Sequence, residues 1–189
     1  PDEVKRAKYS ALQERSIGVG ALGFHAYLQK NKLAWESNEA KGANLRIFRH
    51  IRSKLDEANL SLGKERGEAP DAEGTGYRFS HLMAIAPNAS SSIIMGNTSP
   101  SIEPWRANAY RQDTLSGAYL NKNKYLDSLI TEYCEKHPRT NYDEVWSSII
   151  SNDGSVQHLT QLTDEQKSIF KTSMEIDQRW LIEHAADRQ

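Results

Sequence analysis

The stretch that most constrains the fold is Leu82-Met83-Ala84-Ile85-Ala86, an unbroken apolar run stopped by Pro87-Asn88-Ala89-Ser90-Ser91-Ser92. A strand with one wet face alternates apolar and polar side chains, and a run this short is below helix length. The run therefore reads as a strand buried on both faces, as in parallel sheets covered by helices. Beyond the proline, Ile93, Ile94 and Met95 suggest a short helix before Gly96. The order is strand, polar turn, helix start.

The flanks carry the expected helical patterns. Residues 1–16 are charged and weakly patterned, and Ile17-Gly18-Val19-Gly20-Ala21-Leu22-Gly23 then leads into Phe24, Tyr27 and Leu28, a short strand or turn feeding a helix. Leu45, Phe48, Ile51, Leu55, Ala58 and Leu62 recur at steps of three or four, which predicts an amphipathic helix ending near Gly63 or Gly67. A turn-rich connection with Gly67, Pro70, Gly74 and Gly76 precedes the strand. Downstream, Tyr125, Leu126, Leu129, Ile130 and Tyr133 share one face of a helix predicted over 122–136. Asn141 with Glu144 resembles a capping box ahead of Val145, Trp146, Ile149 and Ile150. Thr163 with Gln166 repeats the device before a last helix whose face is Ile169, Phe170, Met174, Trp180 and Leu181.

Composition removes several classes of function. With 24 Lys+Arg against 25 Asp+Glu the net charge is -1, so no one-signed field marks a dedicated nucleic-acid binder. No apolar run approaches the ~18 residues that cross a bilayer, and the chain is expected to be soluble and cytoplasmic. Cys134 is the only cysteine, which excludes an internal disulfide framework and fits a reducing compartment. The first methionine is Met83, and the closing helical pattern through Ala185, Ala186, Asp187 and Arg188 has no Gly or Pro stop after it. The sequence is therefore expected to be an excerpt of a longer polypeptide.

Gly18-x-Gly20-x-x-Gly23 matches the spacing of a dinucleotide fingerprint, but polar Gln13, Glu14, Arg15 and Ser16 stand where the apolar strand should be. Close backbone packing at a strand-to-helix junction is the better reading. The turn from Pro87 to Ser92 is the stronger feature. Unpaired N–H groups at a helix start attract anions, serine hydroxyls add donors, and Ala89 leaves room for close approach; a plain N-cap remains the equal alternative. The six histidines are scattered without a ligand pair on one helix face, so His25 and His81 are expected in core or supporting roles and no metal is expected. Cys134 reads as a small buried hydrophobe. Glu103, in Ser101-Ile102-Glu103-Pro104, is the one acid of an uncharged loop, with a salt bridge or a cap as its ordinary explanation.

Taken together, Arg15-Ser16-Ile17-Gly18-Val19-Gly20-Ala21-Leu22-Gly23, Leu82 through Ile93, Ser99-Pro100-Ser101-Ile102-Glu103-Pro104, Leu115-Ser116-Gly117, Asn152-Asp153-Gly154-Ser155-Val156-Gln157 and the closing Ala185-Ala186-Asp187-Arg188 resemble the large catalytic subunit of class I ribonucleoside-diphosphate reductases. The similarity runs over nearly the whole chain in the family's order. It implies an α/β fold in which residues 1–189 are part of the C-terminal half of a ten-stranded barrel, without the family's allosteric N-terminal domain. The Gly67-to-Arg78 connection then replaces a longer insertion of some relatives, and Phe79 stands where many have asparagine.

By the same resemblance Asn88, Ala89, Ser90, Ser91 and Ser92 would hold the substrate's phosphates, with Glu103 bracing the loop behind them. The family's radical cysteine, redox cysteine pair and adjacent relay tyrosines have no counterpart here, so the chain alone is expected to be inactive and to bind no cofactor. The implied partners are the remainder of the large subunit, ribonucleoside diphosphates and a small subunit whose dimetal site generates the radical, with thioredoxin- or glutaredoxin-type reductants. A cobalamin-dependent reductase usually has a threonine-glycine-threonine phosphate loop, which Asn88-Ala89-Ser90 disfavours. A non-catalytic helical binding module derived from the same barrel is the alternative of a different kind.

Overall fold

The computed structural model describes residues 2–115 and 117–188. After a short 3-10 turn at Asp2–Val4, the helices are α1 (Lys5–Glu14), α2 (Phe24–Lys30), α3 (Asn38–Arg66) and α4 (Ala89–Ile94). A hairpin of β1 (Ala109–Thr114) and β2 (Gly117–Lys122) follows, then α5 (Lys124–Lys136), α6 (Tyr142–Ser151), α7 (Asp164–Ile169) and α8 (Gln178–Ala186).

Two apolar clusters organise these elements. The first gathers Leu126 and Ile130 of α5, Val145, Trp146 and Ile149 of α6, the loop residues Val156, Leu159 and Leu162, and Ile169 and Phe170 at the end of α7. The second joins Phe24 and Leu28 of α2, Trp35, Ala40 of α3 and Ile176, with Trp180 and Leu181 of α8 against it. A buried polar chain crosses between them. Asn123 caps α5 by accepting from the Tyr125 and Leu126 N–H groups, and its amide donates to Gln29 Oε1 at 2.8 Å and to Asn108 Oδ1 at 2.9 Å. Asn108 in turn donates to the Gly154 and Phe170 carbonyls. The side-chain amide groups of Gln29, Asn108 and Asn123 all have partners, which is what lets them stand inside a core.

Several expectations are corrected. The 82–86 segment is not a strand buried on both faces. It forms one parallel bridge, Val19 to Met83, with Val19 N–H donating to Leu82 C=O and Ala84 N–H to Val19 C=O; Leu82 is buried but Ile85 is 46% exposed. Burial on both faces needs covering layers above and below the sheet, and here the segment has residues 17–20 as its one paired neighbour among the described residues and Ile85 open to solvent. The predicted last helix is broken: α7 ends at Ile169 in the first cluster, whereas Ile176 and α8 belong to the second, and Met174 in between is exposed. One straight helix cannot serve both cores. Residues 5–14, charged and only weakly patterned in sequence, are helical with no buried side chain, and residues 109–122, for which the sequence predicts no element, form a hairpin. Ser116 of the quoted Leu115-Ser116-Gly117 lies outside the described residues.

Other elements fall as the pattern predicts, with shifted ends. α3 starts earlier, at the Ser37 cap whose hydroxyl accepts from Ala40 N–H, and stops at Gly67. Its most buried line is Ala40, Asn44, Phe48, Asn59 and Gly63, with Leu45, Ile51, Leu55 and Leu62 half-buried beside it. The Thr163–Gln166 capping box is complete, whereas Asn141 caps α6 through its own side chain.

Candidate functional site

The glycines of the 18–23 motif serve close packing. A Cβ on Gly18 would lie 2.8 Å from the Ala84 Cβ, and one on Gly20 would lie 2.5 Å from the Ala84 carbonyl oxygen. These two bare positions let 17–20 lie flat against 81–84, and so set where that segment delivers the chain at Pro87. The dinucleotide reading has no support in this arrangement.

Beyond Pro87, Asn88 takes the left-handed conformation (φ 54°, ψ 29°), which asparagine tolerates better than most residues, and the chain turns into α4. Ala89, Ser90 and Ser91 follow, and none of their N–H groups meets an acceptor among the described residues. The Ser90 and Ser91 side chains are exposed and make no hydrogen bond there. Ser92 differs: its N–H donates to Asn88 C=O, and its buried hydroxyl donates to Ala89 C=O at 2.7 Å. Of the five expected phosphate residues, then, Ala89, Ser90 and Ser91 present free donors, Asn88 makes the turn, and Ser92 holds the turn together from within.

The loop after α4 ties this turn to α2. Thr98 N–H donates to Ser92 C=O, and Tyr110 of β1 donates its hydroxyl proton to Asn97 Oδ1 at 2.6 Å. Ser99, fully buried, accepts from Gly23 N–H through its carbonyl at 2.7 Å and from Ala26 N–H through its hydroxyl at 3.1 Å. Trp105 N–H donates to His25 Nδ1 at 3.0 Å. That acceptor role requires the Nδ1 lone pair, and burial pushes the His25 pKa down to about 3, so the ring is neutral at pH 7. These ties were invisible to a local reading, because Ser99 and His25 act on partners far away in sequence.

Glu103 is exposed, and its carboxylate has no hydrogen bond or ion pair among the described residues. Its N–H closes a turn on Pro100 C=O, so the bracing expected of this side chain is carried by the backbone, by Ser99 and by His25. Glu103 lines an open cleft of about 1170 Å³ together with Ala89, Ser92, Arg106, Asn152 and Ser155. The cleft brings the α4 turn and the Asn152–Ser155 stretch to one place. His81 is not a core residue: it is exposed, with Nδ1 2.9 Å from the Ser16 hydroxyl. Cys134 is half-buried against the first cluster. Among the described residues no group of three His, Cys, Asp or Glu side chains is arranged to hold a metal ion, and no helix is long and apolar enough to cross a membrane.

A parallel strand contact whose carboxyl end opens into a turn with unpartnered N–H groups, backed by helices, defines a piece of an α/β protein. The comparisons with known proteins give this class its family. The family model described as "Ribonucleotide reductase, barrel domain" matches residues 2–75 and 69–189, two stretches that meet at the turn-rich connection before Arg78. The chain belongs to the ribonucleotide reductase barrel family. It is 56% identical over its whole length to the ribonucleoside-diphosphate reductase large subunit of Invertebrate iridescent virus 6, covering 20% of that protein, and 30% identical over 98% of its length to that of Caenorhabditis elegans, covering 27%. Among solved structures, the class Id ribonucleotide reductase alpha subunit of Actinobacillus ureae superposes with a TM-score of 0.85 at 43% identity over 98% of this chain and 33% of that one. The chain thus spans a third or less of each of these relatives.

Proposed function

We propose that this chain is the substrate-phosphate-holding segment of a ribonucleotide reductase large subunit acting on ribonucleoside diphosphates. The observation that carries the reading is the α4 turn, where three backbone N–H groups and two serine hydroxyls follow one another without acceptors among the described residues, at the end of the 81–86 segment. A diphosphate there gains charge-assisted hydrogen bonds and the favourable end of the helix dipole. Ala89 leaves the backbone open to its oxygens, and Ser99, His25 and Tyr110 keep the turn from yielding when it is loaded.

In this reading the segment's contribution to rate is orientation. Holding the phosphates fixes the ribose relative to groups elsewhere in the subunit, which turns a bimolecular encounter into a positioned one. The reductive chemistry, with abstraction of the 3′ hydrogen by a protein thiyl radical, loss of the 2′ hydroxyl as water and electrons from paired thiols, requires residues outside this chain, whose single cysteine packs against a helical core. The partners follow: the rest of the large subunit, a small subunit that generates the radical, and a thiol reductant, in the cytoplasm.

The test places the chain in the Invertebrate iridescent virus 6 subunit, in exchange for the matched stretch, and measures binding of ADP and adenosine. Hydrogen bonds to charged groups are worth about 1.5–3 kcal/mol, so Ser91→Ala should weaken ADP binding about ten- to a hundredfold and leave adenosine unaffected. Ala89→Leu should do more, by pushing the phosphate off the amides. ADP affinity within twofold of the parent for both folded variants would make the turn a plain helix cap.

A further inference from the structure

The buried polar chain through Asn108, Asn123 and Gln29 ends on His25, and its polarity is fixed from the far end. Asn123 Oδ1 is committed to the α5 cap, so its amide nitrogen faces Gln29 Oε1 and Asn108 Oδ1. Gln29 is thereby oriented with its own amide nitrogen toward the Ile169 carbonyl at 3.3 Å and toward His25 Nε2 at 3.1 Å. The other ring nitrogen, Nδ1, faces the Trp105 N–H at 3.0 Å. Donors therefore stand at both nitrogens of an imidazole that is 1% exposed.

A neutral imidazole has one N–H and one lone pair, whereas an imidazolium has two N–H groups. The charged ring would set donor against donor on both sides, in a site that water does not reach. The neutral ring meets one such conflict, and its place decides the tautomer. With the proton on Nδ1, the Trp105 N–H loses its acceptor. With the proton on Nε2, the ring can turn it to the Ile169 carbonyl beside Gln29, and Nδ1 keeps its lone pair for Trp105. Trp35 and Trp105 pack against the ring, and no charged side chain acts on it among the described residues. What faces Nε2 therefore governs what Nδ1 can do.

We propose that Gln29 is a positioning residue for the α4 turn: its uncharged amide keeps His25 neutral with the proton on Nε2, so that Nδ1 holds the Trp105 N–H and with it the loop behind the turn. Gln29 acts through His25 and touches no ligand. The proposal rests on the phosphate reading of the turn, and it adds why position 29 carries an amide and not an acid.

The test uses the iridescent-virus hybrid and measures ADP binding at pH 9 and pH 6, each as the ratio of variant to parent so that titration of ADP itself cancels. A carboxylate at position 29 keeps the bond from Asn123 but draws a proton onto the ring, so the Gln29→Glu ratio should fall about tenfold from pH 9 to pH 6, the worth of one hydrogen bond. A ratio independent of pH would overturn the proposal. Should Gln29→Glu fail to fold, His25 carries the test: asparagine offers an acceptor oxygen that takes up no proton, and leucine offers none. His25→Leu should weaken ADP binding about tenfold and His25→Asn should stay within about threefold of the parent, whereas a merely structural role would lower both urea midpoints and leave the two affinities equal. Ser91→Ala in the same hybrid separates the two readings, because unchanged ADP affinity there sinks the phosphate site and not the tautomer. The tautomer is read without any ligand by nitrogen-15 NMR of the histidine-labelled chain. A bare Nδ1 with a protonated Nε2 is the expected state of His25, and a protonated Nδ1 would overturn the proposal.

Discussion

Two glycines of one helix should respond to the same substitution with opposite signs. Gly42 and Gly63 both lie in α3, and an exposed helical Gly→Ala change stabilises by about 0.5–1 kcal/mol by removing backbone freedom from the unfolded chain. At Gly42 a new Cβ meets only the flexible tip of Arg46 at 3.3 Å, so Gly42→Ala should show this gain. At Gly63 the Cβ would sit 1.9 Å from the Gly76 carbonyl oxygen and 2.9 Å from its carbon. A comfortable carbon–oxygen approach is about 3.3 Å, so helix and connection would have to part by about 1.4 Å. Next to that contact, Asn59 exchanges two hydrogen bonds with the Phe79 backbone, at 3.0 and 2.9 Å, and these would open together with it. Overpacking typically costs 1–3 kcal/mol, and a strained pair of hydrogen bonds adds to it, so Gly63→Ala should be destabilising by about 1–3 kcal/mol net of the propensity gain. Urea unfolding followed by circular dichroism at 222 nm measures both variants against the parent. Gly63→Ala at or above the parent's midpoint would show that α3 and the 67–78 connection do not pack as described.

Further outcomes follow from the buried polar groups and the cleft. The His25 pKa is lowered to about 3 from an unfolded value near 6.5, so the unfolded chain binds more protons in that window, and stability should be full above about pH 6.5 and fall as the pH drops toward 3. His184 is shifted in the same direction by burial and adds to the slope; urea midpoints between pH 7 and 4.5 test this, and His25→Gln should flatten the profile. Asn123→Ala removes the α5 cap and leaves Gln29 Oε1 and Asn108 Oδ1 without their donor, so a loss of about 3 kcal/mol or more is expected in the same assay. Glu103→Gln should leave the urea midpoint within about 0.5 kcal/mol of the parent, since the carboxylate has no intrachain partner to lose; a larger fall would reveal a bracing contact.

What the sequence revealed, and what it hid, divides by the range of the interactions. α3, α5 and α6 were legible because their apolar spacing and, for α6, the cap at Asn141 are local, whereas the caps at Ser37 and Asn123 emerge only from the structure. The hairpin was not, because Tyr110, Arg111, Gln112 and Asp113 give no alternation to detect, and Ala109 is the β1 residue that enters the core among those described. The 164–186 stretch misled for the opposite reason: its apolar residues keep a helical beat across a break imposed by two separate cores, and Asp177, which accepts from Arg179 N–H, restarts the helix. For the site, the turn at 87–92 was legible as strand, polar turn and helix start. The division of labour inside it was not, since it is the folded turn that makes Ser92 donate inward while Ser90 and Ser91 remain exposed.

The turn gains its precision from residues that never approach a ligand. Gly18 and Gly20 set the height of the 81–84 segment before the turn, and Ser99 and His25 fix the chain after it by bonds to α2 and Trp105. Residues 17–26 therefore hold both ends of the 82–105 stretch, which makes the glycine motif and the 87–92 turn one mechanical unit although some seventy residues separate them in sequence. A site built this way loses accuracy when either anchor moves, because a misplacement of about 1 Å is enough to degrade an oriented reaction. The same geometry accounts for the open edge at Met83 and Ile85. The segment that carries the turn is anchored on one side by Val19, and the Met83 and Ile85 backbone groups have no backbone partner among the described residues.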